Sequence, residues 1–164
     1  MATFLITGAS RGLGELLQYS LPKKTDTAFL VSRSKPTLPD DGVKRHWIKA
    51  DLAKSGVAKI IAKEIGDSPI DLLIYNAGIW EHNAFSQDYS FESVSEEETR
   101  RIMDVNLTSA ILLIQAMLPN LRKAVNPKII LIGSVSGKAY SRGQEVAYVA
   151  SKAGLLGVAS SLRE

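Results

Sequence analysis

Cysteine is absent from the 164 residues. That excludes disulfides, thiolate metal sites and thiol nucleophiles, and it leaves the redox compartment open. Histidine occurs only at His46 and His82. Neither has a partner at metal-ligand spacing, so both read as structural or surface residues and no metal is expected. Aromatics make up only 7% of the chain, and its 20 Lys and Arg residues are scattered, the densest pairs being Lys23-Lys24, Lys44-Arg45 and Arg100-Arg101. No basic tract interleaved with aromatics is present, so nucleic acid is not an expected partner. The most apolar stretch, Ala110 to Leu118, contains Gln115 and is too short to span a bilayer. Met1 leads directly into Thr3-Phe4-Leu5-Ile6, without the basic and apolar regions of a signal peptide. A soluble, cytoplasmic protein with no membrane partner is the expectation.

What remains is an ordinary globular composition: 45% hydrophobic, 23% charged, net charge +3, with 12 Gly and 6 Pro. No internal repeat, low-complexity tract or linker interrupts it, so residues 1–164 read as one domain. Apolar runs alternate with helical patterns. Thr3–Thr7, Ala28–Val31, Lys44–Ile48, Ile70–Tyr75 and Lys128–Ile132 read as strands. Helices are expected to about Ser20, stopped by Pro22; over about Ser55–Ile65, closed by Gly66; from Ser95 to about Ala124; and over Val146–Leu162. Ser95-Glu96-Glu97-Glu98 has capping-box spacing. Ile111–Leu118 is apolar almost all round, which suggests burial on more than one side. Residues 34–42, 79–94 and 136–145 read as loops. Near-continuous apolar strands separated by helices argue for a parallel sheet covered on both faces.

Gly8-x-x-x-Gly12-x-Gly14 follows the first strand and opens a helix. Glycines permit a tight turn and close approach of backbone to a pyrophosphate, and the helix N-terminus attracts its charge. A carboxylate at the end of the second strand would favour NAD by holding the ribose 2′-hydroxyl. This chain has Ser32-Arg33-Ser34 there. Arg33, and Arg11 inside the glycine turn, suit a 2′-phosphate, so NADP(H) is the expected cofactor. Near the other end, Tyr148 and Lys152 are one helical turn apart on one face. A free tyrosine titrates near pH 10. A neighbouring ammonium favours its phenolate, making the pair able to exchange a proton with a substrate oxygen.

Thr7-Gly8-Ala9-Ser10-Arg11-Gly12-Leu13-Gly14, Asp51-Leu52, Asn76-Ala77-Gly78, Asn106, Ser134 and Tyr148-x-x-x-Lys152 occur in one order. In that order, and across the whole chain from residue 3, the sequence resembles the short-chain dehydrogenases/reductases, in their compact-glycine subgroup. The resemblance implies a Rossmann-type doubly wound parallel sheet with about five strands in the order 3-2-1-4-5 and C-terminal strands absent. It implies that Gly8, Ser10, Arg11, Gly12, Leu13, Gly14, Ser32 and Arg33 bind the dinucleotide. Asp51 and Leu52 would contact adenine, and Asn76-Ala77-Gly78 would pass beside the adenosine ribose. Asn106 would hold a water linked to Lys152. Ser134, with Ser136 as a neighbouring candidate, would polarise a substrate carbonyl. Tyr148 would donate the proton, while Lys152 would tune it and hold the nicotinamide ribose. Ile79, Trp80, Phe85, Tyr140 and Glu145 are candidates for the pocket mouth, suiting a moderately apolar ketone or aldehyde; Trp80 and Phe85 equally suit anchoring of the long loop.

The implied function is NADPH-dependent reduction of a carbonyl to an alcohol, in a homodimer or homotetramer paired through the helices at 96–124 and 146–164. Members of the family continue beyond this length, so a fragment of a longer reductase is the favoured reading. The alternatives are a non-catalytic NADP-binding module acting as a sensor or partner subunit, and an interaction protein that binds no dinucleotide.

Overall fold

The computed structural model describes residues 1–138 and 143–163. The chain divides into two compact units, Met1–Ala77 with Leu112–Ile132, and Gly78–Ile111 with Gly133–Glu164.

The first unit holds the sheet. Its strands are β1 (Thr3–Thr7), β2 (Thr27–Ser32), β3 (Lys44–Lys49), β4 (Leu72–Tyr75) and β5 (Lys128–Leu131), with helices α1 (Gly12–Ser20) and α2 (Val57–Ile65) between them. All pairings are parallel, in the order β3-β2-β1-β4-β5, giving the expected α/β Rossmann-like topology. The registers set Leu5 beside both Phe29 and Leu73, and Ile6 beside both Leu30 and Ile74. These central residues are buried, because helices cover both faces of a parallel sheet and leave no polar side. The outer strands differ. β3 exposes Lys44, His46 and Lys49, and charges on an edge strand discourage pairing with other chains. β5 leaves Ile130 42% exposed.

Arg45 of β3 ties the preceding loop to α1. Its guanidinium donates to both carboxylate oxygens of Asp41, at 2.6 and 2.8 Å, and to the Gln18 carbonyl at 2.9 Å. The Arg45 bond, with help from the Val43 N–H, lowers the Asp41 carboxyl from 3.8 to about 2. A carboxylate depressed in the folded state stabilises it above the unfolded value, and that contribution fades as pH falls through the folded one. Acid unfolding of wild type should therefore show a component between pH 3.8 and about 2 that Asp41→Asn lacks. Urea midpoints across that window check it.

The second unit carries α3 (Glu96–Met103), a π-helical turn (Asp104–Thr108), the start of α4 (Ser109–Leu121), a short 3-10 turn at Val135–Gly137, and α5 (Val146–Ser161). Ser95 caps α3, its hydroxyl accepting from the Glu98 N–H at 3.1 Å. The uniform helix expected from 95 to about 124 is instead three segments ending at Leu121. The widened turn falls on Asn106, whose amide is claimed by groups outside its helix, as set out below. The continuous run Glu96–Leu121 is long and apolar enough to cross a membrane by length and composition. A core helix passes the same test, and Leu113, Ile114, Met117 and Leu121 are buried. Within the single chain the burial is on one side, not on more than one as expected: Ile111 and Leu112 are 44% and 45% exposed.

Candidate active site

In the first unit, β1 delivers the chain into the glycine turn. The Thr7 hydroxyl accepts from the Asn76 and Ala77 N–H groups, both at 3.1 Å, binding the end of β4 to the end of β1. The Asn76 amide nitrogen donates to the carbonyls of Thr7 and Gly8 at 3.2 and 3.3 Å. Asn76 therefore shapes the turn with its side chain, besides offering backbone. Gly8 turns at φ +69°, and a Cβ on Gly14 would stand 2.1 Å from the Gly8 carbonyl oxygen. Only glycine permits α1 to start that close to the strand.

Gly12, at φ +57°, faces open space, and the N-terminus of α1 has no side-chain cap. Its first amides are thus arranged as a phosphate site requires. Arg11, Leu13 and Arg33 are exposed around this end of the unit, and Ser10 is half-buried. A tight glycine turn opening onto uncapped helix amides is compatible with a bound phosphate. Ser32 ends β2. Its buried hydroxyl donates to the Ser34 carbonyl at 2.7 Å and accepts from the Trp47 indole at 3.1 Å, so it braces the turn after β2. The Asp51 carboxylate accepts from the Ala53 N–H at 3.1 Å, and Leu52 is buried.

In the second unit, α5 positions Tyr148, Ser151 and Lys152. Glycines on the segments packed against it allow close approach. A Cβ on Gly137 would stand 2.7 Å from the Lys152 carbonyl carbon, so the 3-10 turn after Ser134 lies directly on α5. Ser134 begins that turn, its hydroxyl accepting from the Ser136 N–H at 3.2 Å. Lys152 is buried at 4% exposure; its Nζ lies 5.9 Å from the Tyr148 ring centroid and 3.1 Å from where a Gly78 Cβ would be. Gly78 thus leaves room for the ammonium. Burial pushes the Lys152 amine below its ordinary value of 10.5. The charged form therefore opposes folding, and this penalty fades as pH rises through the folded value.

Asn106 is fully buried. Its amide donates to the Ile79 carbonyl at 2.8 Å and to Ser151 Oγ at 2.9 Å, and its oxygen accepts from the Ile79 N–H at 2.8 Å. Ser151 in turn donates to the Tyr148 carbonyl at 2.7 Å. The π-helical turn is the backbone adjustment that admits this network, a device common at functional sites. The side chain of Asn106 is thus a brace between the loop at Ile79 and the helix of Tyr148.

Sequence reasoning missed Glu81. Its carboxylate is buried and accepts from the N–H groups of Ala147 and Tyr148, at 2.8 and 3.1 Å, capping α5. A lone acid in a long loop carries no periodicity that would reveal this. Trp80, Phe85 and Glu145 do adjoin Tyr148 or its helix, while Tyr140 lies outside the described residues.

The family model for short chain dehydrogenases matches residues 2–164. The chain belongs to this family. The chain is 34% identical to the ketoacyl reductase HetN of Nostoc sp., over 99% of its own length and 57% of HetN. It is 36% identical to the 3-oxoacyl-[acyl-carrier-protein] reductase FabG of Vibrio cholerae, over 96% of its length and 64% of FabG. It therefore spans about six-tenths of these curated relatives. Among solved structures, a short-chain dehydrogenase from Sphingobium yanoikuyae in complex with NADPH superposes with a TM-score of 0.83 at 27% identity, covering 99% of this chain and 64% of that one. The RhlG/NADP complex of Pseudomonas aeruginosa gives 0.81 at 29% identity, covering 98% and 65%.

Proposed function

We propose that this chain is an NADPH-dependent carbonyl reductase. The observation that carries the reading is the Tyr148–Lys152 pair on α5, with the lysine buried and its ammonium 5.9 Å from the phenol ring. A buried lysine one turn from a half-exposed tyrosine is costly for packing alone. It becomes useful where negative charge develops on an oxygen.

NADPH, when bound, supplies the hydride for the carbonyl carbon. The chain's own groups do the rest. Uncapped N–H groups at the start of α1 would donate to the pyrophosphate, and Arg11 and Arg33 would hold the 2′-phosphate. The Ser134 hydroxyl donates to the substrate carbonyl oxygen. Tyr148 passes its phenolic proton to that oxygen as charge builds there, and the Lys152 ammonium stabilises the phenolate left behind. Glu81 and the Asn106–Ser151 brace hold α5 so that the phenol stays aimed.

Relatives named for ketoacyl reduction support a carbonyl as the substrate group, and solved complexes with NADPH and NADP support the cofactor. For assembly, the reading is a homodimer or homotetramer through α3–α4 and α5, supported by exposed Ile111, Leu112, Val146 and Leu156. A cytoplasmic location belongs to the same reading.

Loss of nicotinamide absorbance on adding a carbonyl panel tests the activity. Cofactor choice has its own test. Arg33→Glu should weaken NADPH binding by about tenfold or more while sparing NADH, because a charge-assisted contact is lost and repulsion replaces it. Equal affinity for NADPH before and after the change contradicts the assignment.

A further inference from the structure

The loop after Gly78 brings two aromatic rings to Tyr148. Trp80 and Phe85 lie 5.8 Å apart between ring centroids, Trp80 and Tyr148 6.3 Å, and Phe85 and Tyr148 5.8 Å. The rings meet edge-to-face, at 69°, 88° and 90°. Clusters of this kind usually fill a core. Here Trp80 is 57% exposed and Phe85 60% exposed.

The backbone of Phe85 adopts φ +63°, a left-handed conformation that bulky side chains avoid. Two anchors hold it there. The Phe85 N–H donates at 2.9 Å to Glu145, a buried carboxylate at the N-cap of α5, and the Ala84 N–H donates to the Glu81 carbonyl at 3.0 Å. The helix bearing Tyr148 thus fixes the strained residue that presents a ring to Tyr148. Strain maintained by buried polar contacts, for a side chain that stays largely in solvent, gains little for the fold. It does give the reacting phenol two fixed aromatic neighbours with open surface.

We propose that Trp80 and Phe85 form the substrate-selecting wall of this site, favouring carbonyl compounds with a flat aromatic ring beside the carbonyl over saturated ones of the same size. The proposal rests on the reductase reading above and names its substrate class. Ring–ring contacts add to simple burial, so the expected preference is about twofold to tenfold.

Acetophenone and cyclohexyl methyl ketone are a matched pair for the test. Wild type should show the higher kcat/KM for acetophenone, and Phe85→Leu and Trp80→Leu should each bring the ratio toward one. A wild-type ratio of one, or a ratio unmoved by both changes, overturns the proposal. Phe85→Gly separates selection from loop anchoring, since glycine tolerates the left-handed backbone. Its Tm should equal or exceed that of wild type while the preference is lost; a lower Tm with the preference intact overturns the proposal.

Binding gives a readout that needs no turnover. Trp47→Phe leaves Trp80 as the sole tryptophan of the chain's two. Its emission should respond to 1-phenylethanol at lower concentration than to 1-cyclohexylethanol. Equal responses overturn the wall, whereas binding discrimination without turnover of any carbonyl supports it and refutes the reductase reading alone.

Discussion

Tyr148→Phe should abolish carbonyl reduction while leaving the fold and NADPH binding intact. The phenyl ring keeps the edge-to-face contacts with Trp80 and Phe85 and removes only the hydroxyl. The backbone bonds that seat the residue, from its N–H to Glu81 and from Ser151 to its carbonyl, do not involve that hydroxyl. Stability should therefore change by under about 1 kcal/mol, the range of a lost hydroxyl bond. General acid catalysis contributes on the order of 10² to 10⁴ in rate, and at least that much should disappear from kcat. Cofactor titration and thermal melting beside the kinetic assay separate this result from unfolding.

Gly14→Ala has the largest expected effect on the first unit. The new methyl would meet the Gly8 carbonyl oxygen at 2.1 Å, the Gly8 carbonyl carbon at 2.8 Å and the Asn76 amide nitrogen at 2.6 Å. Two of these neighbours are backbone atoms, and the third is held by two hydrogen bonds to the turn. Nothing there yields cheaply. The cost should be about 1–3 kcal/mol or more, as for overpacking elsewhere, and NADPH binding should fall with it because the turn itself must move. Gly12→Ala is the control. Open space surrounds that position, so only its φ of +57° opposes a side chain. Its penalty should be about 1–2 kcal/mol with the turn retained. Chemical denaturation and cofactor titration of both variants check the order.

The contrast between these glycines shows what could be read before the structure. The glycine turn, the five strands and the Tyr148–Lys152 spacing are local patterns, set by near neighbours and by helical or strand periodicity. They were legible for that reason. Capping by Ser95 and closure of α2 at Gly66, where φ is +62°, belong to the same class. The misread features depend on partners distant in sequence. The π-helical turn exists because Asn106 serves Ile79 and Ser151 at once, 27 and 45 residues away. Glu81 caps a helix that begins 65 residues later, and no motif announces it. The expectation that Ile111–Leu118 is buried on more than one side rests on composition, which cannot say which face a neighbour covers. Leu113 and Met117 face inward; Ile111 and Leu112 stay at the surface. Ser32 stands at the end of β2, and the partners of its hydroxyl, Trp47 and Ser34, follow from the fold and not from its position in the sequence.

In the proposed reaction, Tyr148 and Lys152 drive reduction of a carbonyl at the expense of NADPH. Stoichiometry tests it most directly: NADPH consumed and alcohol formed are measured in one reaction, for wild type and Tyr148→Phe. One alcohol per NADPH is expected with wild type and none above background with the variant. NADPH that binds but is not consumed by any carbonyl, or a variant that turns over at the wild-type rate, would contradict it.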